Sequence, residues 1–180
     1  PHLRNVLAQR MRDKKNIDCE LHDILITSGA QQALSFVAFN LLDPGDTYIT
    51  SAPTYLGALQ AFHAYQGNCE CIPMNDEGID IDSLRRNLKR LHRTGITPKF
   101  LYAVATFQNP SGECISLEHR KELIEIASEY DFVIIEDDPY GELVFEGESI
   151  PSIKSLDTKG RVIYIGTFSK VLAPGFRLAW

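Results

Sequence analysis

The sequence has no apolar run long enough to cross a bilayer. Its longest, "FLYAVATF" and "FVII", fall far short of the roughly 20 residues that a spanning helix needs. Nor does its start show the charged-then-apolar pattern of a secretory leader. Basic residues are outnumbered, 18 Lys+Arg against 24 Asp+Glu, and the net charge of -6 with no basic tail argues against a broad nucleic-acid-binding face. The four cysteines, Cys19, Cys69, Cys71 and Cys114, contain no C-x-x-C pair of the kind that holds zinc. Cys69 and Cys71 fall on one face of a strand, and all four read as reduced thiols. No repeat, low-complexity tract or linker divides the chain. These absences lead to one cytoplasmic domain with no membrane segment and no metal site. Of the 180 residues 44% are hydrophobic and 23% charged, enough apolar material for a sizeable core.

What is present is an alternation. "PHLRNVLAQRMRDKKNI" spaces Leu3, Val6, Leu7, Met11 and Ile17 as an amphipathic helix does. "DILITSGAQQALSFVAFNLL" reads as a strand ending at Thr27, a tight turn at Ser28 and Gly29, and a helix stopped by "DPGD". Strands "TYITSAP", "CECIPM", "KFLYAVATF", "FVIIEDDP" and "RVIYIGTF" follow, separated by helical patterns in "TYLGALQAFHAYQG", "DIDSLRRNLKRLHRTG" and "SLEHRKELIEIASEYD". Only "YGELVFEGESIPSIKSLD" is irregular, and it reads as a surface excursion. Such alternation predicts an α/β fold of three layers, α/β/α, around a mostly parallel sheet.

Ligands of such sheets collect at the carboxyl ends of the strands, so the residues found there matter most. Ser28, Gly29, Ala30 and Gln31 turn into a helix whose free N–H groups suit a phosphate, although Ser-Gly is also ordinary capping chemistry. Tyr55 stands where an aromatic can stack on a flat ligand, or simply pack. Asn109 lies in "QNPSG", which is also a good turn with no further role. Glu136, Asp137 and Asp138 end an apolar strand, a costly place for carboxylates unless each finds a donor or a cation. A magnesium cage would need carboxylates that the other strand ends lack, whereas one ligand with a protonated ring nitrogen needs a single carboxylate.

In "GTFSKVLAPGFR" the last strand delivers Thr167, Ser169, Lys170 and Arg177. Lys170, on a partly desolvated strand edge near a second cation, is expected to have a lowered pKa and to be nucleophilic. A solvated loop lysine is the better reading of that motif alone. It weakens because five strand ends supply phosphate donors, a ring, an amide, a carboxylate and an amine, all parts for one ligand.

Taken in order, "TSGAQQAL", "PTYLGALQ", "FQNPSG", "IIEDDPYGEL" and "GTFSKVLAPGFR" resemble the fold-type I, pyridoxal-phosphate-dependent aminotransferases. The resemblance covers essentially the whole chain, and within the family it is closest to the 2-aminoadipate/kynurenine branch and the GntR/MocR regulators. It implies that Lys170 forms the Schiff base with the cofactor and moves the proton, and that Asp137 keeps the pyridine nitrogen protonated, making the ring an electron sink. It further implies that Asn109 and Tyr140 hydrogen-bond the ring's phenolic oxygen and that Tyr55 stacks on the ring. Ala30, Gln31, Thr167, Ser169 and Arg177 would hold the phosphate, with Arg177 as its bidentate anchor. Glu136 and Asp138 are left as structural, and the five histidines as surface or packing residues.

The same resemblance implies that residues 1–180 are the cofactor-binding large domain, a fragment without the N-terminal arm and the C-terminal small domain, and inactive on its own. The intact protein is expected to be a homodimer acting on an amino acid and a 2-oxo acid. The alternative is the pyridoxal-phosphate-binding effector domain of a GntR/MocR transcription regulator, which would touch DNA only through a separate winged helix.

Overall fold

The computed structural model of the protein describes residues 2–180. Helices form where an apolar stripe coincides with a start signal. The first, α1 (His2–Lys15), buries Leu7, Ala8 and Met11, while Leu3 and Val6 of the same expected stripe stay exposed. The expected first strand shrinks to β1 (Thr27–Ser28), and Gly29 then opens α2 (Ala30–Leu41). Next come β2 (Thr47–Ala52), α3 (Leu56–His63), β3 (Asn68–Asn75) and the short β4 (Gly78–Ile79). The helix α4 (Ile81–Arg93) starts where the Asp80 carboxylate accepts from the Ser83 amide at 2.8 Å, and it buries Leu84, Leu88 and Leu91 at helical spacing. The strand β5 (Phe100–Ala103) is buried throughout, after which Ser116 caps α5 (Leu117–Glu129). The remaining elements are β6 (Val133–Asp138), α6 (Ile153–Leu156), β7 (Val162–Gly166) and β8 (Leu178–Ala179).

The main sheet runs β4-β3-β2-β5-β6-β7, with every neighbour parallel except β4 against β3. This is the mostly parallel α/β sheet read from the sequence. One element departs from that reading: β1 is not a strand of the main sheet but pairs antiparallel with β8. The ribbon hangs on the end of β7, where Gly166 and Trp180 exchange two backbone hydrogen bonds of 2.9 Å and Thr167 bridges to Ala179. A second departure is α6, one helical turn inside the stretch read as wholly irregular, started by Ser152.

Strand alternation divides the core in two. On one face Ile49, Leu101, Ala103 and Ile134 pack against Leu84, Leu88, Leu123 and Ile126 of α4 and α5. On the other, Tyr48, Phe100, Tyr102, Val104 and Ile135 meet Leu34 and Phe62 of α2 and α3. Phe62 centres an aromatic group there, with ring centroids 4.9 Å from Phe100, 5.0 Å from Tyr48 and 5.5 Å from Tyr102. Buried rings in edge-to-face contact fix one another's orientation. The carboxyl ends of β5, β6 and β7 are thereby held by packing on both sides.

Candidate functional site

All ten residues named from the sequence as cofactor contacts line one cavity of about 240 Å³ at the carboxyl ends of the central strands. Ala30 and Gln31 come from the start of α2, Tyr55 from the residue before α3, and Asn109 from the loop after β5. Asp137 and Tyr140 come from the end of β6 and the turn beyond it. Thr167, Ser169, Lys170 and Arg177 belong to the segment between β7 and β8. Val104, Pro139 and Pro174 complete the lining.

Asp137 forms the floor and is 3% exposed. Its Oδ2 accepts a 2.8 Å hydrogen bond from the Tyr102 hydroxyl, and among the described residues none donates to its buried Oδ1. Burial pushes this carboxyl up to about 6; the Tyr102 hydrogen bond opposes the rise, and the neighbouring Asp138 carboxylate adds to it. A buried carboxylate oxygen lacking a partner is costly unless a ligand brings the donor. A protonated ring nitrogen fits that requirement, so the residues present match the cofactor that the sequence implied.

The flanking carboxylates are spent on structure. Glu136 accepts from the amides of Ile153 and Lys154 at 2.8 Å each, holding the first turn of α6, and burial raises it to about 7. Asp138 accepts from Lys15 and Tyr164 at 2.7 Å and from the Gly141 amide at 2.8 Å, tying α1 to β6 and β7.

At the other end of the cavity the chain makes room for a guanidinium. Gly29 has φ of +79°, and a Cβ there would collide with the Arg177 side chain. Arg177 Nη2 donates to the Ser28 carbonyl at 3.2 Å, next to the first amides of α2. The Thr167 and Ser169 hydroxyls lie 3.0 Å apart, and the Ser169 amide donates to Thr167 Oγ1 at 3.1 Å. Helix-start amides, two hydroxyls and a guanidinium make a set suited to a phosphate. Gln31 donates across to the Gly57 carbonyl at 2.7 Å, and Gly57 has no side chain where the Tyr55 ring lies, since a Cβ would strike it.

Lys170 is the exception to the expected environment. It is exposed, in the turn beyond β7, rather than on a partly desolvated strand edge, because the chain leaves the strand there and folds back on itself, the Leu172 and Ala173 amides donating to the Phe168 carbonyl. The location beside the cavity stands, and the desolvation argument does not.

Two contributors escaped the sequence reading. Tyr102 on β5 lies two residues before Val104, just past the end of that strand, and the period of two, readable in "FLYAV", puts both on the sheet face that packs against α2 and α3. Gln108, 3% exposed, donates to the Pro53 carbonyl at 2.8 Å and accepts from the Ser111 amide at 2.9 Å, fastening the Asn109 loop to the turn before α3. Nothing in the sequence marks Gln108 as different from an ordinary loop glutamine.

Comparison with known proteins gives the family and the fold. The family model described as aminotransferase class I and II matches residues 1–180. The chain is 49% identical over 178 residues to the aromatic-amino-acid aminotransferase 1 of Thermococcus litoralis, covering 99% of this chain and 43% of that protein. It is 35% identical over 178 residues to the HTH-type transcriptional regulator YisV of Bacillus subtilis, covering 99% of this chain and 36% of that protein. Among solved structures, the kynurenine aminotransferase of Pyrococcus horikoshii superimposes with a TM-score of 0.95 at 49% identity, over 99% of this chain and 44% of that one. The chain thus spans less than half the length of these relatives.

Proposed function

The chain belongs to the class I and II aminotransferases, and from that membership we propose that it is the cofactor-binding large domain of a pyridoxal-phosphate-dependent aminotransferase. The intact protein would move an amino group between an amino acid and a 2-oxo acid, as a homodimer. The observation that carries this reading is the convergence of Lys170, Asp137 with its unpartnered oxygen, and the Arg177 guanidinium on one cavity.

Pyridoxal phosphate, when bound, supplies an aldehyde for an amine and a ring that withdraws electrons from the substrate's α-carbon. The chain's own residues divide the remaining work. Asp137 holds the proton on the ring nitrogen by ion pairing from a buried site. Arg177, Thr167, Ser169 and the first amides of α2 hold the phosphate. Tyr55 covers one ring face, while Asn109 and Tyr140 hydrogen-bond the phenolic oxygen. Lys170 would provide the amine for that aldehyde and would carry the proton to and from the substrate's α-carbon.

The similarity to YisV supports a second reading, an effector domain that keeps the cofactor site without turnover. A donor and acceptor screen on the intact protein separates the two. Conversion of the bound cofactor from aldehyde to amine form by an amino acid, and back by a 2-oxo acid, supports the enzyme. Cofactor uptake with no conversion by any donor would overturn it in favour of the effector domain.

A further inference from the structure

Tyr102 lies one layer beneath the cavity and is 1% exposed. Its ring packs edge-to-face on Phe62, with centroids 5.5 Å apart, so the hydroxyl has little freedom to choose a partner. That hydroxyl donates to Asp137 Oδ2 at 2.8 Å, and Oδ1 of the same carboxylate has no donor among the described residues. We propose that Tyr102 is a positioning residue that holds the Asp137 carboxylate by Oδ2 and so presents Oδ1, ionised, to the cofactor's ring nitrogen. The inference rests on the reading of the cavity as a pyridoxal phosphate site.

The physical argument is a balance. Burial favours the neutral acid, and so does the adjacent Asp138 carboxylate, whereas the Tyr102 hydrogen bond favours the anion. The groups that act on this carboxyl are Tyr102 on β5 and the adjacent Asp138, with Tyr55 before α3 and Tyr140 after β6 acting on the Tyr102 hydroxyl, while Lys170 and Arg177 beyond β7 line the same cavity. Among the described residues Tyr102 is the only one whose side chain donates a hydrogen bond to Asp137. Without it a neutral acid becomes more stable, and the carboxyl is free to rotate. A neutral acid cannot ion-pair with a protonated ring.

Tyr102→Phe in the intact protein tests this, since it keeps the ring against Phe62 and removes only the hydroxyl. Equilibrium titration with pyridoxal phosphate at a series of pH values gives the midpoint below which affinity is lost. That midpoint should rise by about one unit in the variant, with affinity at high pH within about threefold of wild type. An unchanged midpoint overturns the role. Asp137→Asn has no carboxyl to titrate, so adding Tyr102→Phe to it should move nothing, and an equal shift in that background would also overturn the role. Should Tyr102→Phe fail to fold, ζ-carbon NMR of labelled tyrosines in the cofactor-free wild-type protein decides. The Tyr102 signal should follow a titration that Asp137→Asn abolishes, and a signal indifferent to that substitution counts against the proposal. Failure of the wild-type protein to take up the cofactor at any pH overturns the cofactor reading itself, and this inference with it.

Discussion

Asp137 and Lys170 line the same cavity, yet Asp137 is 3% exposed at the end of a strand packed on both faces, while Lys170 stands exposed in a turn. The floor of the site is fixed by the core, through Tyr102, Phe62 and the β5–β6 register that sets Tyr102 against Ile135 and Ala103 against Glu136. The rim is fixed by local turn contacts among residues 167–178. A group that must hold a charge at one point belongs on the floor. One that must change partners belongs on the rim. Substitutions on the rim should therefore change chemistry and leave stability alone, and those on the floor should change both.

The largest effect is expected from Lys170→Ala. Turnover in the intact protein should fall by at least about a thousandfold, and the visible absorbance band of the bound cofactor should disappear. Unfolding free energy of the cofactor-free form should stay within about 0.5 kcal/mol, as for other exposed positions. A large loss of stability would erase the contrast between rim and floor.

Asp137→Asn should still bind the cofactor, with turnover reduced by about a hundredfold or more. Its effect on the cofactor-free protein should have the opposite sign. The carboxyl is raised from 3.8 to about 6 in the folded state, so its favourable contribution is complete below the unfolded value and is lost as pH rises through about 6. The asparagine variant escapes that penalty. Without cofactor it should be more stable than wild type at pH 8, by an amount on the order of 2–3 kcal/mol, and should have no such advantage at pH 3. Denaturant unfolding at both values measures this, and equal stability at pH 8 would mean that the buried carboxylate is solvated after all.

Arg177→Ala should weaken cofactor affinity by about ten- to a hundredfold, and Arg177→Lys should recover only part of it, because a lysine cannot make the paired contacts of a guanidinium. Equilibrium dialysis is sufficient, and full recovery by lysine would reduce Arg177 to a point charge. Smallest of all, Gly57→Ala should displace the Tyr55 ring and cost about two- to tenfold in affinity with the fold intact. Unchanged affinity would mean that the ring does not stack on the ligand.

The same division explains what was legible in the sequence. Strand-end residues such as Asp137, Asn109 and Lys170 could be named because a parallel sheet delivers them to one edge, and order along the chain then fixes which edge. Helix α4 could be read from its stripe and its Asp80 cap. The misplacement of β1 has a different source. Two residues pairing with the distant β8 make a contact between positions 27 and 179, and no local pattern encodes a partner that far away. Tyr102 was hidden for a related reason: a buried tyrosine in an apolar strand looks like packing until the neighbouring strand shows what its hydroxyl meets. The exposure of Lys170 depends on what covers a turn, which is a property of the folded surface.

The convergence of amine and carboxylate on one ligand is tested most directly by trapping. The intact protein is loaded with pyridoxal phosphate, reduced with borohydride and digested, and the modified lysine is located by mass spectrometry. Label confined to Lys170, and matched in amount by Asp137→Asn protein at saturating cofactor, is the expected result. Label spread over other lysines, or as abundant in Lys170→Ala protein, would contradict it.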